Sequence, residues 1–154
     1  MSIINKMRYE FAPDLQSIME DVSKAIFPKV RIDRVRCFRS YGSSSKMTIA
    51  RCHTIGKLIQ KAMNVPPFYA LEFISERFDK LDKEEQLKII IHEIMHIPMS
   101  FGGGFRHHDH VCERNIQQKY RLYKKHQLHQ LNNFEENLQA GQNERKEKEN
   151  FFRF

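Results

Sequence analysis

The chain of 154 residues and 18.5 kDa can fill one compact core with a short appendage, but not two. With 40% hydrophobic and 29% charged residues it is too apolar and too aromatic to be disordered, and its three cysteines do not make a disulfide scaffold. A formal charge of +7 favours acidic or phosphate-bearing partners. The N-terminal Met1–Lys6 lacks an apolar signal core, and the apolar run Leu87–Ile97 is too short and too often interrupted to cross a bilayer. These features predict a soluble, reduced, cytoplasmic domain with no membrane association.

Along the chain, Leu15, Ile18, Val22, Ala25 and Ile26 fall at three-and-four spacing and predict an amphipathic helix over Phe11–Phe27. Pro13 stands near its start and Pro28 ends it. Val30–Phe38 has strand character, with a phase shift at Val35 and Cys37 that predicts a bulge. After the turn signal Tyr41-Gly42-Ser43-Ser44-Ser45, the stretch Met47–Cys52 reads as a second arm, and the two arms are expected to pair as a long hairpin. A short helix is predicted over Ile55–Ala62, on Ile55, Leu58 and Ile59, stopping before Pro66-Pro67. Phe68–Ile74 is the best strand, with both sides covered. Asp82 and Glu85 form a capping box for a helix over Lys83–Ile97, whose apolar face carries Leu87, Ile90, Ile91 and Ile94 and which Pro98 ends. Beyond a loop around Gly102-Gly103-Gly104, a last helix is expected over His110–Phe134, with Val111, Ile116, Tyr120, Tyr123 and Leu131 inward. The domain is therefore read as residues 8–134. Residues 135–154 form a polar, mixed-charge tail, in which Ala140–Asn150 need not fold and which ends on an apolar Phe151-Phe152-Arg153-Phe154.

The charge is uneven. Lys29–Lys61 holds nine Lys or Arg against one acid, Asp33, so the rest of the chain is nearly neutral. The histidines are uneven too: five of eight, with three of the six glycines, lie between His92 and His110. Within this second cluster His92-Glu93-Ile94-Met95-His96 is an H-E-x-x-H motif. Residues four apart share one helix face, so two imidazoles can converge on a zinc ion, and Glu93 beside the first ligand can act as general base on its water. Tetrahedral zinc needs a third protein ligand. The extended metalloprotease spacing would put a histidine where Gly102 stands, so the candidates are His107, His108 and His110 beyond the glycine loop. Asp109 suits a helix cap or the orientation of a neighbouring imidazole better than ligation.

Glu76-Arg77-Phe78-Asp79, His92 to Pro98 and Ser100 to Asp109, with Arg39-Ser40, Ser43-Ser44-Ser45 and Ala50-Arg51-Cys52-His53 upstream, resemble a small archaeal family described as metallopeptidases, related to phage-type metallopeptidase domains. The likeness covers roughly Tyr9 to Tyr123. It implies a minimal zincin-like α+β fold, in which a small antiparallel or mixed sheet packs on the HExxH helix with N- and C-terminal helices. It also implies Zn2+ as cofactor and a peptide or protein substrate. Relatives of this kind often carry His-Asp in the second histidine region, which implies His108, directly before Asp109, as third ligand, with His107 next. A fainter similarity to SprT-like proteases lacks both their histidine spacing and a four-cysteine ribbon.

Stabilisation of an oxyanion would fall to Arg106, Tyr41 or a loop N–H, and the strand Phe68–Ile74 is expected to edge the cleft and pair with an extended peptide. His53 is a further candidate cleft residue. Cys37, Cys52 and His53 lack the local spacing of a structural zinc site, and the two cysteines read better as small buried apolar groups. Arg31, Arg34, Arg36, Arg39, Lys46 and Arg51 on the hairpin could follow a phosphate backbone, although no reading motif accompanies them; acidic peptides would suit the same patch. A zinc peptidase is the reading favoured by the residues. The alternatives are a nucleic-acid-associated module with a structural metal and a zinc hydrolase of a non-peptide amide.

Overall fold

The computed structural model describes residues 6–151. The readings of Met1–Asn5 as free of a signal and of Phe152–Phe154 as an apolar terminus lie outside the described residues.

A strand the periodicity does not announce, β1 (Arg8–Phe11), precedes helix α1 (Pro13–Ile26), which has Pro13 in its first turn. A 3-10 turn over Ile32–Arg34 leads into β2 (Val35–Tyr41). This turn, rather than a bulge, explains the phase shift: alternation begins only at Val35, with Val35 and Cys37 fully buried. β3 (Ala50–Thr54), α2 (Lys57–Met63), β4 (Tyr69–Ile74), the single turn α3 (Ser75–Phe78) and α4 (Lys83–Met95) follow. α5 runs from Glu113 to Phe151, so residues 135–150 are helical.

The sheet has the order β1-β2-β4-β3; β2 and β4 are parallel and the two outer pairs antiparallel. The expected β2–β3 hairpin is therefore corrected, because β4 lies between its two arms. The reason is burial. Tyr69, Leu71, Phe73 and Ile74 of β4 are wholly buried, and a strand covered on both sides belongs in the interior of a sheet. β3, whose residues are half-buried or exposed, takes an edge. It also follows that β4 has no free edge for a peptide.

α1 contacts β2 and α4, and α4 contacts β3, so both helices cover one face of the sheet. Leu15, Met19 and Val22 of α1 and Ile90, Ile91 and Ile94 of α4 meet there with Val35, Cys37, Leu71 and Phe73. Burial of side chains of this size stabilises by roughly 1.5–3 kcal/mol each. β1 is too short to complete the edge of β2, and α1 supplies the missing partner: Gln16 Nε2 donates to Val35 O at 3.1 Å, and its Oε1 accepts the Cys37 N–H at 2.9 Å. The Asp82 carboxylate caps α4 by accepting the Glu85 N–H at 2.8 Å. By contrast, α2 has no buried residue, and Leu58, expected inward, is 80% exposed. The chain divides between Tyr120 and Arg121 into two units. In the first, Val111 just before α5 and Ile116 in its opening turns are buried; in the second, Tyr123 is buried and Leu131, expected inward, is exposed.

Changing Gln16 to Ala strands a buried carbonyl and a buried N–H. Urea denaturation should show a loss of about 1–3 kcal/mol, whereas an exposed substitution such as Leu58→Ala should change stability by less than about 0.5 kcal/mol.

Candidate metal centre

α4 presents His92 and His96 on one side, and their Nε2 atoms stand 3.1 Å apart. His108, beyond the glycine loop, brings its ring to within 5.8 Å of His92 and 5.1 Å of His96, centroid to centroid. One nitrogen of each of the three lies within 4.8 Å of the others, a grouping that could hold a metal ion. The donor chemistry fits such an ion. His96 Nδ1 lies 2.7 Å from the Arg106 carbonyl, which can only accept, so Nδ1 carries the proton and Nε2 offers its lone pair to the cluster. Burial, and then the neighbouring imidazoles, push the His92 pKa down to about 4, and burial also lowers that of His96. Both are neutral near pH 7, as ligation requires.

These groups line an open cleft of about 310 Å³ with Glu93, Ala50, Arg51, Cys52, Phe105, Arg106 and His107. Glu93 is only 5% exposed, and burial pushes its carboxyl up to about 8. The side of the cleft opposite the histidine loop is β3. Ile74 N–H bonds to Ile49 O at 2.9 Å, and in an antiparallel ladder the backbone groups of alternate residues then face the partner strand. The N–H and C=O groups of Ala50 and Cys52 are thereby directed away from β4, to the free edge beside the cleft.

The loop that carries Arg106 and His108 is held at both ends. At its start, the Tyr69 hydroxyl accepts the Gly103 N–H at 3.0 Å and donates to Gly104 O at 2.9 Å, while Gln60 Nε2 bridges Ile55 O and Gly102 O. Gly103 has φ +90°, and a Cβ there would stand 2.0 Å from Gln60 Nε2 and 2.6 Å from Ile55 O. A glycine is needed for both reasons. Downstream, the Arg106 N–H donates to His96 O at 2.8 Å, which makes a second tie beside the imidazole contact. Neither Tyr69 nor Gln60 is marked by local sequence: each meets the loop from more than thirty residues upstream, and Tyr69 stands in a strand where any aromatic would satisfy the pattern.

The remaining candidates separate. His107 lines the cleft but is not among the three grouped histidines, and the His110 ring pairs with Arg106 Nη1 at 2.7 Å. Asp109 Oδ1 accepts the His110 N–H at 2.8 Å, a local turn contact. Tyr41, at the end of β2, packs under Arg8, and His53 bonds to the buried Glu72 at 2.6 Å on the sheet face opposite Cys52; neither lines the cleft. Cys37, Cys52 and His53 form no metal-holding group, and burial pushes the Cys37 thiol up to about 12 and raises that of Cys52.

The basic residues are dispersed. Arg31 and Arg34 flank Asp33 at 3.6 and 3.7 Å, and Arg39 is clamped between Asp14 and Asp79 at 2.6 and 3.1 Å. Arg36 bonds to the Val35 carbonyl, Arg51 lies 3.6 Å from Glu72, and Lys46 sits in the loop whose carbonyls Arg77 holds. With β4 between β2 and β3, these six are not gathered on one hairpin as expected.

Two outcomes follow. Glu93 has a folded pKa near 8 against an ordinary 4.5, so its contribution to the metal-free protein is complete below pH 4.5 and is lost as pH rises through 8. His92 works in the opposite sense, its contribution being lost as pH falls from 6.5 towards 4. In Glu93→Gln only the first effect disappears. The stability difference between wild type and variant should therefore fall from pH 5 to pH 8, by at most about 1.4 kcal/mol per pH unit, in denaturation series with chelator. Tyr69→Phe should loosen the loop and weaken metal binding by about 10-fold in competition titrations, with secondary structure intact by circular dichroism.

The family model described as "Putative phage metallopeptidase" matches residues 7–139. No curated protein and no solved structure matches the chain. The match takes in the whole sheet, α4, the three grouped histidines and Glu93, and by that extent the chain belongs to the phage metallopeptidase family.

Proposed function

We propose that the protein is a zinc-dependent peptidase, with His92, His96 and His108 as metal ligands and Glu93 as general base. The observation that carries this reading is the convergence of three imidazole nitrogens within 4.8 Å beside a carboxyl that is 5% exposed, in one cleft. Three histidines leave the fourth position of a tetrahedral ion open, as in catalytic rather than closed structural sites. Zinc bound there would supply Lewis acidity and lower the pKa of water at the site. Glu93 takes the proton of the attacking water on a carboxylate oxygen and passes it to the leaving amine nitrogen. Burial raises its proton affinity, and a nearby divalent cation would lower it again, so that the carboxylate would be ionised and able to accept a proton at neutral pH. Of the cations available to a developing oxyanion, Arg106 lines the cleft, whereas the Arg51 side chain turns to Glu72 on the opposite face of the sheet.

The free edge of β3 favours an extended peptide over other amides. The outward N–H and C=O groups of Ala50 and Cys52 can add the substrate as a further strand, which gives it a fixed line across the cleft. This role passes from the strand Phe68–Ile74 to its neighbour because β4 is paired on both sides.

Glu93→Gln should retain one zinc per chain by elemental analysis and lose hydrolysis of a casein or peptide-library substrate by at least about 10²-fold. His108→Ala should lower the zinc stoichiometry, whereas His107→Ala and His110→Ala should leave it unchanged. Full turnover in Glu93→Gln, or no zinc in the metal-replete wild type, would overturn the reading.

A further inference from the structure

A second concavity, of about 340 Å³, shares Arg106 with the histidine cleft as a lining residue. Its walls are apolar: Phe27 and Val30 from the segment after α1, and Met95 and Ile97 from the end of α4. Lys29, Arg106 and Lys119 stand among these walls, and no acidic residue does. None of the three has a carboxylate partner within 4 Å among the described residues, although other cations there do, as Arg39 has in Asp14 and Lys88 in Glu84. Lys119 Nζ is held over the Phe27 ring at 5.1 Å, and Arg106 Nη1 donates to His110 Nε2. The latter contact engages a neutral lone pair and leaves the guanidinium charge uncompensated.

An apolar hollow bounded by uncompensated cations is complementary to one chemical pattern: a hydrophobic side chain with a carboxylate beside it. An uncharged apolar ligand would leave the three cations unanswered, and a polyanion would leave the walls unanswered. From this complementarity and the shared Arg106, we propose that the concavity is a specificity subsite for peptide substrates, taking a large apolar residue whose carboxylate meets Lys29, Lys119 and Arg106. The carboxylate is either the peptide's C-terminal group or an adjacent Asp or Glu side chain. The inference rests on the peptidase reading for the word substrate, but the pocket's binding chemistry does not depend on turnover. It also gives a use to unpaired positive charge that a phosphate-tracking surface does not explain.

The test uses fluorescence polarisation of labelled peptides on zinc-supplemented Glu93→Gln protein, so that no probe is consumed, repeated on wild type with chelator. The probes are labelled Gly-Gly-Phe with a free carboxylate, its carboxamide, and Gly-Phe-Glu carboxamide. At least one carboxylate probe should bind about 10-fold more tightly than the Gly-Gly-Phe carboxamide, and which of the two does so identifies the source of the carboxylate. Lys119→Gln and Lys29→Gln, both checked for unchanged thermal unfolding, should each cut that preference several-fold. Equal binding of all three probes, or a preference that survives both substitutions, would overturn the proposal. The two readings fail separately. Carboxylate preference without hydrolysis by the wild type leaves the pocket standing and removes the peptidase. Hydrolysis without carboxylate preference removes the pocket alone.

Discussion

The candidate centre depends on a two-point tie between His96 and Arg106. The Arg106 N–H reaches the His96 carbonyl at 2.8 Å, and the Arg106 carbonyl takes the imidazole Nδ1–H at 2.7 Å. One bond closes the end of α4, which Pro98 prevents from continuing; the other sets the tautomer that turns Nε2 towards His92 and His108. A single residue thus links helix termination, loop placement and ligand chemistry. The glycine loop, Tyr69 and Gln60 make sense as the means of delivering Arg106 to that point. His108 is exposed, and if the loop were free it would have no reason to face α4.

The sheet shows where local pattern suffices and where it fails. Both arms of the supposed hairpin have strand character, and both are strands. They do not pair with each other, because adjacency in sequence is only a prior on adjacency in space. The information that decides between them is the two-sided apolarity of Tyr69–Ile74, which calls for a neighbour on each edge. Weighing that demand against the half-polar β3 would have placed β4 inside and β3 at the rim. β1 was less accessible: four exposed residues carry no burial pattern, and its pairing is visible only through the register with β2.

At the site, the part written in helical spacing was legible and the part written in tertiary contacts was not. His92, Glu93 and His96 follow from a period of 3.6 residues and a capped helix, and no other information is needed to put them on one side of α4. Spacing could not choose among His107, His108 and His110, because three consecutive glycines erase the relation between sequence distance and position; the resemblance to relatives reading His-Asp did favour His108, the residue that joins the cluster. The same argument covers Arg39. As a basic residue among basic neighbours it suggests a phosphate contact, yet its guanidinium bridges Asp14 on α1 and Asp79 after α3, residues 25 and 40 positions away. Charge density along a chain does not reveal which charges have partners.

That distinction recasts the net charge of +7. Arg31, Arg34, Arg39 and Arg51, four of the cations that make the first third of the chain so basic, stand within 4 Å of a carboxylate that offsets their charge locally. The charges left without a carboxylate include Lys29, Arg106 and Lys119, drawn from three distant parts of the sequence and brought together beside the histidine cleft. Only Lys29 of the three belongs to the basic stretch, so it is folding that places these charges together. The candidate metal cluster and the charged pocket meet at one residue, Arg106, whose backbone orients the His96 imidazole and which lines both concavities.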